Sequence, residues 1–453
     1  MKLYFIIILF YSSLLLSCKK YLDIPPPENE VITETVFIDD ESALSAVSGL
    51  YSQLLSSNNS FANGGMSLYA SLSSDDIIPT TTPTEVIQFA SNTLLSSNSI
   101  VDVLWQRAYK YIYHCNAVIE GLGKSVSVSS EVKSQLTGEV KFVRAFCYFY
   151  LVQLYGDVPM VLSTAYEINS IMPRTKKEEV MGQVISDLVQ SKSLLNINYP
   201  SAGRVRPNKS AAAAMLARVY LFNKDWVNAS ASATEVITNT VYNLPTDLNT
   251  VFISNSTEAI WQLLPVLSSY NSSEGFAFIP STSSSRPSYI LTGELLNSFA
   301  AADKRKLNWS KTVTVSGQTY TYPFKYKVRS GSAKTEYNMV LRLAEQYLIR
   351  AEAKAELNEL VECQNDINKV RQRAGLSAVT ATTKDELLDA ILQERRGEFF
   401  AEWGMRWIDL KRKNIATNIL LTVKPDWQPY AILYPIPFSQ LTKNPALVQN
   451  DGY

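Results

Sequence analysis

Apolar residues recur every three or four positions over several long stretches of the chain, and this spacing places them on one face of an α-helix. Residues 39–56 and 101–121 each show one such apolar face. Residues 138–159, GEVKFVRAFCYFYLVQLYGDVP, add aromatic residues around that face, which predicts a helix buried on several sides. Gly156 and Pro159 indicate its end, because glycine favours the position after a helix and proline cannot continue one.

Two later segments share a plan in which a helix, a short polar turn and a second helix follow one another. They are residues 210–237 and 341–375. Helical spacing around the second segment covers residues 336–376, and it resumes over residues 383–413. Small residues that allow close approach of the first two helices are the alanines at 213, 217, 229 and 233. Neither helix of such a pair buries its apolar face alone, as in tetratricopeptide repeats. The sequence therefore predicts a mostly α-helical fold of tetratricopeptide-like hairpins.

Two regions lack helical spacing. Residues 57–100 are rich in Ser, Asn and Thr, which predicts a long polar loop of the kind that often carries function. Residues 241–335 alternate short apolar runs with Ser, Asn, Gly and Pro, which predicts an irregular, partly β insertion. Within it, TVTVSGQTYTY predicts a β-hairpin that turns at Ser316 and Gly317.

The first residues have the layout of a secretory signal peptide. Lys2 precedes an apolar run over residues 3–16, which is shorter than the about 20 residues of a transmembrane helix. The run ends in Leu-Leu-Ser-Cys at Cys18, a pattern that resembles a bacterial lipobox and predicts lipid attachment to this cysteine. The alternative is a chance cysteine beside an ordinary cleavage site. The predicted division into signal peptide, lipidated tether, N-terminal helical region and C-terminal region with the insertion is 1–17, 18–38, 39–240 and 241–453.

Composition narrows the chemistry. Lys and Arg together number 42, as do Asp and Glu, so no net field attracts nucleic acid. His114 is the only histidine, which excludes His-based catalytic triads and HExxH metal sites. Beyond Cys18 the chain has only Cys115, Cys147 and Cys363, and their odd number and wide spacing argue against a disulfide framework and a zinc site. We therefore predict neither a cofactor nor a metal.

Seven segments in order resemble the SusD/RagB family of outer-membrane nutrient-uptake lipoproteins. The segments are SCKKYLD, RAFCYFYLVQLYGDVP, AAAAMLARVYLFNKDW, LRLAEQYLIRAEAKAELN, INKVRQRAGL, ILQERRGEFFAEWGMRWIDLKR and LYPIPFSQLTKNPALVQNDGY. The resemblance implies tetratricopeptide-like helical pairs and a lipid-anchored location at the outer membrane, facing the cell exterior. It also implies a TonB-dependent β-barrel transporter as partner, over which the protein acts as a hinged lid that captures oligosaccharides or, in some branches, peptides.

Two groups of residues are candidates for contacting such a ligand. Asp75 and Asp76 stand at the head of the polar loop and could accept hydrogen bonds from sugar hydroxyls or peptide cations, or could instead cap a helix or turn. The insertion supplies aromatic rings and a guanidinium among small polar residues: Tyr270, Phe276, Phe278, Arg286 and Tyr289. Flat rings stack on the apolar face of a sugar while polar groups bond to its rim. The alternative is that these rings anchor the insertion to the helical core.

Glu394, Glu398 and Glu402 stand four residues apart, on one helical face. Two of them could form the acid and nucleophile of a retaining glycosidase, which needs carboxyl groups about 5–5.5 Å apart. The alternative is a ladder of ion pairs with the arginines of the same segment, Arg395, Arg396, Arg406 and Arg412. Arginine neighbours lower a carboxyl pKa, whereas a general acid needs a raised one, so we favour the structural interpretation.

The favoured function is therefore a non-catalytic, surface-exposed nutrient-binding lipoprotein that captures oligosaccharide and delivers it to a TonB-dependent transporter. Three alternatives stay open at this point. The protein could be a peptide-binding member of the same family, a surface glycosidase, or a helical-repeat scaffold that binds protein and no nutrient.

Overall fold

The computed structural model describes residues 36–453, so Cys18, the signal peptide and most of the tether lie outside the described residues. The helices before the insertion are α1 Asp40–Leu54, α2 Thr84–Ser91, α3 Ser99–Lys124, α4 Ser130–Tyr155, α5 Tyr166–Asn169, α6 Lys177–Leu194, α7 Lys209–Phe222 and α8 Trp226–Ile237. Those within and after it are α9 Ser273–Phe278, α10 Gly293–Ser298, α11 Lys304–Trp309, α12 Leu343–Glu356, α13 Leu360–Arg373, α14 Lys384–Phe399, α15 Met405–Arg412, α16 Ala416–Val423 and α17 Phe438–Lys443. The strands are β1 Ile77–Pro79, β2 Ala259–Leu263, β3 Tyr289–Leu291, β4 Ser310–Val315, β5 Gln318–Pro323 and β6 Asn338–Arg342.

The longer helices form one continuous stack. In the order α3, α4, α6, α7, α8, α12, α13 and α14, each helix packs against the next. The stack passes directly from α8 to α12, although the insertion separates these two helices in the sequence. The fold class is therefore confirmed: the protein is mostly α-helical, with tetratricopeptide-like hairpins and an insertion that leaves and rejoins the stack at one place.

Helix α4 lies at the centre of this stack. Every residue from 142 to 155 is buried, which confirms the prediction from its aromatic sequence. Its Arg144 donates to both carboxylate oxygens of Asp187 on α6, at 2.8 and 2.7 Å, and to Asn116 on α3 at 2.8 Å. The helix ends at Gly156, whose φ of +73° suits glycine. One buried arginine thus ties three neighbouring helices together.

The hairpin of α7 and α8 is confirmed as well. Its small residues Ala217, Ala229 and Ala233 are fully buried in a cluster with Ile349 and Ala353 of α12. Because alanine has no bulk beyond Cβ, it lets three helix backbones approach closely at this point. Cys115, Cys147 and Cys363 are also buried as free thiols. Within residues 36–453, the helices lack the combination of length and apolar character that a membrane span requires.

The short strands attach the insertion to the helical body. The predicted hairpin is β4 and β5, with Ser316 at φ +50° and Gly317 at φ +79° in the turn, as primed two-residue turns require. Strand β2 pairs antiparallel with β6, and β1 pairs antiparallel with β3. The helix predicted from residue 336 was wrong over residues 336–342, because β6 occupies residues 338–342 and α12 begins at Leu343. A short apolar run fits a helix or a strand, and pairing with β2 makes residues 338–342 a strand.

The prediction of a long polar loop over residues 57–100 was also wrong. This stretch contains a π-helical turn at Met66–Ala70, followed by β1 and α2. Every residue from 60 to 77 is buried. The serines and asparagines satisfy their polar groups inside the fold: Asn63, for example, donates to the carbonyl of Leu55 at 3.1 Å. Small polar side chains here permit close packing, so polarity did not indicate exposure.

Candidate functional site

Four of the five residues that the insertion's sequence suggested for ligand contact are at least partly exposed, and they form two local groups. Tyr270 and Phe276 are half-buried, with ring centroids 4.0 Å apart. The guanidinium of Arg329 lies 4.3 Å from the centroid of Phe276, and its Nε donates to the carbonyl of Ile279 at 3.0 Å. The Arg329 guanidinium covers one face of the Phe276 ring and so restrains the first group, the pair of Tyr270 and Phe276.

The second group of candidate residues lies where the loop after β1 meets the insertion. Tyr289 lies in β3 opposite Pro79 of β1, and the backbone N–H of Thr80 donates to the carbonyl of Ser288 at 2.9 Å. Arg286 is exposed, and it donates to the Thr80 carbonyl while lying 5.7 Å from the ring centroid of Tyr320. The two groups are linked by the packing of α9 against β3. We call the set Thr80, Tyr270, Phe276, Arg286 and Tyr289 the insertion surface, and the ring of Tyr320 is buried beside the Arg286 guanidinium.

Phe278 does not belong to this surface. Its side chain is only 3% exposed and packs in the main core, with its ring 6.2 Å from that of Tyr289 in a T-shaped arrangement. The residue is held there because α9 turns it away from solvent and towards the helical body. For Phe278, the anchoring alternative therefore replaces ligand contact.

Asp75 and Asp76 are likewise inside the protein, 6% and 0% exposed. Asp75 accepts from Arg406 at 2.8 and 2.9 Å, and Asp76 accepts from Arg396 at 2.8 Å. Burial raises the pKa of Asp76, whereas for Asp75 the nearby Arg406 and Arg396 outweigh burial and lower the pKa. Neither carboxylate faces solvent, so these aspartates hold the segment before β1 onto α14 and α15 rather than offering oxygens to a ligand.

The three glutamates of α14 and the following turn enter a buried charge network. Its members come from the insertion, β6, α13 and α14: Glu258, Asp303, Arg305, Lys325, Arg342, Arg373, Glu394, Glu398 and Glu402. Arg342 donates to Glu258 at 2.8 Å, to Glu398 at 2.6 Å and to Glu402 at 2.9 Å. Arg305 adds bonds to Glu394 at 2.6 Å and to Glu398 at 3.1 Å.

The ionisation of this network follows from its contacts. Burial alone would raise the pKa of Glu398, but Arg373, Arg342 and Arg305 hold it well below its usual range. Burial lowers the pKa of Lys325 to about 8, although Glu402 opposes the shift. A carboxyl group with so low a pKa holds no proton to give, and its oxygens are already bonded.

Burial raises the pKa of Glu394, although Arg305 opposes the shift. The oxygens of Glu394 nevertheless accept from Arg305 and Arg371, and those of Glu402 accept from Arg342 and Lys325. These bonds, rather than the pKa values, support the structural interpretation of the three glutamates.

The predicted partners within the same segment were wrong. Arg395 bonds to Asp409, Arg396 and Arg406 bond to the two aspartates before β1, and Arg412 bonds to Glu352. Residues one apart on a helix point in different directions, so an arginine beside a glutamate in sequence reaches another element. In the part of the chain that the structure describes, no three His, Cys, Asp or Glu side chains are arranged to hold a metal ion.

Thr80, Tyr320 and Arg329 were missed by sequence reasoning. Thr80 and Tyr320 contact Arg286, and Arg329 contacts Phe276, and each partner lies far away in the sequence. The hairpin signal could have drawn attention to Tyr320, because alternate residues of β5 point to one face. No local signal identifies Thr80 or Arg329.

Comparison with known proteins gives consistent matches over most of the chain. Residues 258–453 match the model of the SusD family, and residues 20–221 match a model described as "Starch-binding associating with outer membrane". The SusD-like protein P25 of Formosa agariphila is 26% identical, over 96% of this chain and 96% of that protein.

Solved structures share the same fold. A SusD superfamily protein from Bacteroides vulgatus superposes with a TM-score of 0.80 at 21% identity, covering 92% of this chain and 99% of that one. A laminarin-binding SusD-like protein superposes with a TM-score of 0.76 at 20% identity, covering 91% of this chain and 99% of that one. The order of helices and insertion described above is thus the order found in these proteins.

Proposed function

Because the chain belongs to the SusD/RagB family of outer-membrane-associated carbohydrate-binding proteins, we propose that it captures oligosaccharide at the cell surface and delivers it, without chemical change, to a TonB-dependent transporter. The observation that carries the proposal is the insertion surface, where aromatic rings and an exposed guanidinium lie among small polar residues. Sugars present apolar ring faces and polar rims, and this surface offers partners for both.

Within this surface the residues take different roles. Tyr270 and Phe276 provide a half-buried aromatic platform, which Arg329 supports through its contact with Phe276. Arg286 is exposed, and its guanidinium is available to bond sugar hydroxyls beside Tyr289. A rigid aromatic platform loses little conformational entropy on binding, which favours recognition of a flexible chain such as an oligosaccharide.

Titration of the protein with glucan oligosaccharides tests the surface. We expect Tyr270→Ala and Arg286→Ala each to weaken binding at least fivefold, about 1 kcal/mol, because each removes one stacking or hydrogen-bonding partner. Tyr430→Ala serves as the matched control, since Tyr430 is partly exposed in the C-terminal segment and should leave affinity unchanged. Incubation with polysaccharide should release no reducing ends. Binding of peptides but not of any glycan would contradict the proposal. An equal loss of affinity in the Tyr430→Ala control would contradict it too.

The anchor and the partner are proposed together. Cys18 follows an apolar run and precedes a proline-rich tether, an arrangement that supports a lipid-held protein able to move over its transporter. We expect Cys18→Ala to release the protein from the outer membrane and to reduce its co-purification with a β-barrel protein, whereas Cys363→Ala, which alters a buried thiol, should retain both. Membrane retention of Cys18→Ala at the wild-type level would refute the anchor.

A further inference from the structure

A second cleft lies away from the insertion surface. Its volume is about 810 Å³, within the range of small-molecule sites. Its walls are α3, the segment 159–170 with α5, and α17 with the residues that follow it. No part of the insertion lines it.

The charges that line this cleft are all positive. Arg107 and Lys110 project from α3, and Lys443 ends α17, whereas no Asp or Glu is among the lining residues. Among residues 36–453 none of these three cations has a carboxylate within ion-pairing distance. The buried arginines of the fold, by contrast, are largely paired, as Arg342 and Arg412 show. Unpaired cations around a concave surface create a positive potential that attracts anions.

Two carboxylates of α3 fix the walls of the cleft. Asp102 accepts from Ser439 at 2.6 Å and from Gln440 at 3.2 Å, which holds α17 onto α3. Glu120 accepts from the backbone N–H and the hydroxyl of Thr164, at 2.8 and 2.6 Å, which holds the opposite wall. These bonds hold both walls in place, and the cleft is therefore preformed.

Aromatic rings supply the rest of the surface. Trp105 and Tyr109 lie at the floor with ring centroids 4.9 Å apart, and the Tyr109 hydroxyl donates to the Pro159 carbonyl at 2.8 Å. Tyr113 and Tyr166 are 52% and 81% exposed and lie in the lining. Exposed rings on a concave, cationic surface fit a ligand that has both flat apolar faces and negative charge.

We propose that this cleft is a second binding site, for oligosaccharides that carry carboxylate or sulfate groups. Arg107, Lys110 and Lys443 bind the anionic groups, and Tyr113 and Tyr166 stack on sugar rings. The cleft shares no lining residue with the insertion, so it provides a separate site for charged glycans.

Titration of the full-length lipoprotein in detergent, carrying Tyr270→Ala and Arg286→Ala to weaken glucan binding at the insertion surface, tests this site. The probes are tetragalacturonate for carboxylates, a carrageenan tetrasaccharide for sulfates, maltotetraose as the neutral analogue, and sodium sulfate as the bare ion. We expect at least one anionic tetrasaccharide to bind tenfold or more tightly than maltotetraose, with an affinity that falls as salt rises. The preference between the two anionic probes identifies which group the cleft selects. Equal affinity for all tetrasaccharides, or binding of sulfate ion as tight as that of the tetrasaccharides, would overturn the assignment.

Variants with equal charge changes locate the binding. The double substitution Arg107→Met and Lys110→Met should weaken anionic binding at least tenfold, whereas Lys124→Met with Lys369→Met, which removes the same net charge at exposed positions outside the cleft, should change it less than twofold. Tyr166→Ala should weaken tetrasaccharide binding threefold without altering thermal unfolding. An equal loss of affinity in both double variants would show that the effect comes from net charge and not from the cleft. If no tetrasaccharide binds, and a membrane protein co-purifies only when Arg107 and Lys110 are present, the cleft is a site for a protein partner instead.

Discussion

Replacing Arg342 by methionine should lower the free energy of unfolding by about 4 kcal/mol, because removing one partner from a buried ion cluster leaves uncompensated charge. The guanidinium contacts Glu258, Glu398 and Glu402 at 2.6–2.9 Å, and all three carboxylates are buried. Arg373 still reaches the first two of them, but it cannot replace the bonds that Arg342 makes. Methionine fills much of the same space, so the loss reports charge rather than volume.

Denaturant unfolding at neutral pH measures this change. Arg107→Met is the matched control, since Arg107 is partly exposed and has no carboxylate partner among residues 36–453, and it should shift stability by less than about 0.5 kcal/mol. Because the pKa of Glu398 is lowered in the fold, its stabilising contribution exists above its unfolded pKa and is lost as pH falls. The difference between wild type and Arg342→Met should therefore narrow below pH of about 4. A loss under about 1 kcal/mol at neutral pH would show that the network tolerates the missing cation.

Gly404→Ala should destabilise the protein by about 3 kcal/mol, the sum of a left-handed backbone penalty and a steric clash. Gly404 joins α14 to α15 with φ at +64°. A Cβ at this position would lie 2.3 Å from Cβ of Ala70 and 3.3 Å from the carbonyl oxygen of Met66. Both belong to the π-helical turn, whose backbone is buried against this glycine, so neither side can move away without breaking packing.

Gly182→Ala provides the matched control for this substitution. Gly182 is exposed within α6, and nothing lies within 4 Å of a Cβ placed there. Alanine should raise stability by about 0.5–1 kcal/mol, since it favours the helix and restricts the unfolded chain. Opposite signs for the same chemical change would identify the close approach at Gly404 as the cause. Equal and small changes in the free energy of unfolding at both sites would mean that the π-helical turn moves to make room for a Cβ at position 404.

Much of the helical architecture could be read from local patterns. The α7–α8 pair and the burial of α4 follow from apolar spacing, and the β4–β5 hairpin follows from Ser316 and Gly317. Each of these signals lies within about one element, so the chain needs no distant contact to express it. Where two states fit the same short run, as over residues 338–342, the strand partner decided the outcome.

The candidate site was less accessible to sequence reasoning. The aromatics and the arginine of the polar insertion were candidates for ligand contact. Tyr270 and Arg286 stay candidates because the first is partly exposed and the second is exposed, but Phe278 has the same local setting and is buried. Asp75 and Asp76 follow two serines in a polar stretch, yet they pair with arginines more than 300 positions away in the sequence. Burial depends on what packs over a side chain, which neighbours in sequence do not reveal.

The sequence by itself determined most of the long helices, the turn of the β4–β5 hairpin, and that its single histidine leaves little room for imidazole chemistry. Only the tertiary structure decided which charges are paired inside and which stay free at a surface. Arg395 and Arg107 are both arginines on helices, but one reaches a buried aspartate and the other lines an open cleft. Periodicity is set by the geometry of one helix, whereas charge pairing is set by the meeting of elements far apart in the chain.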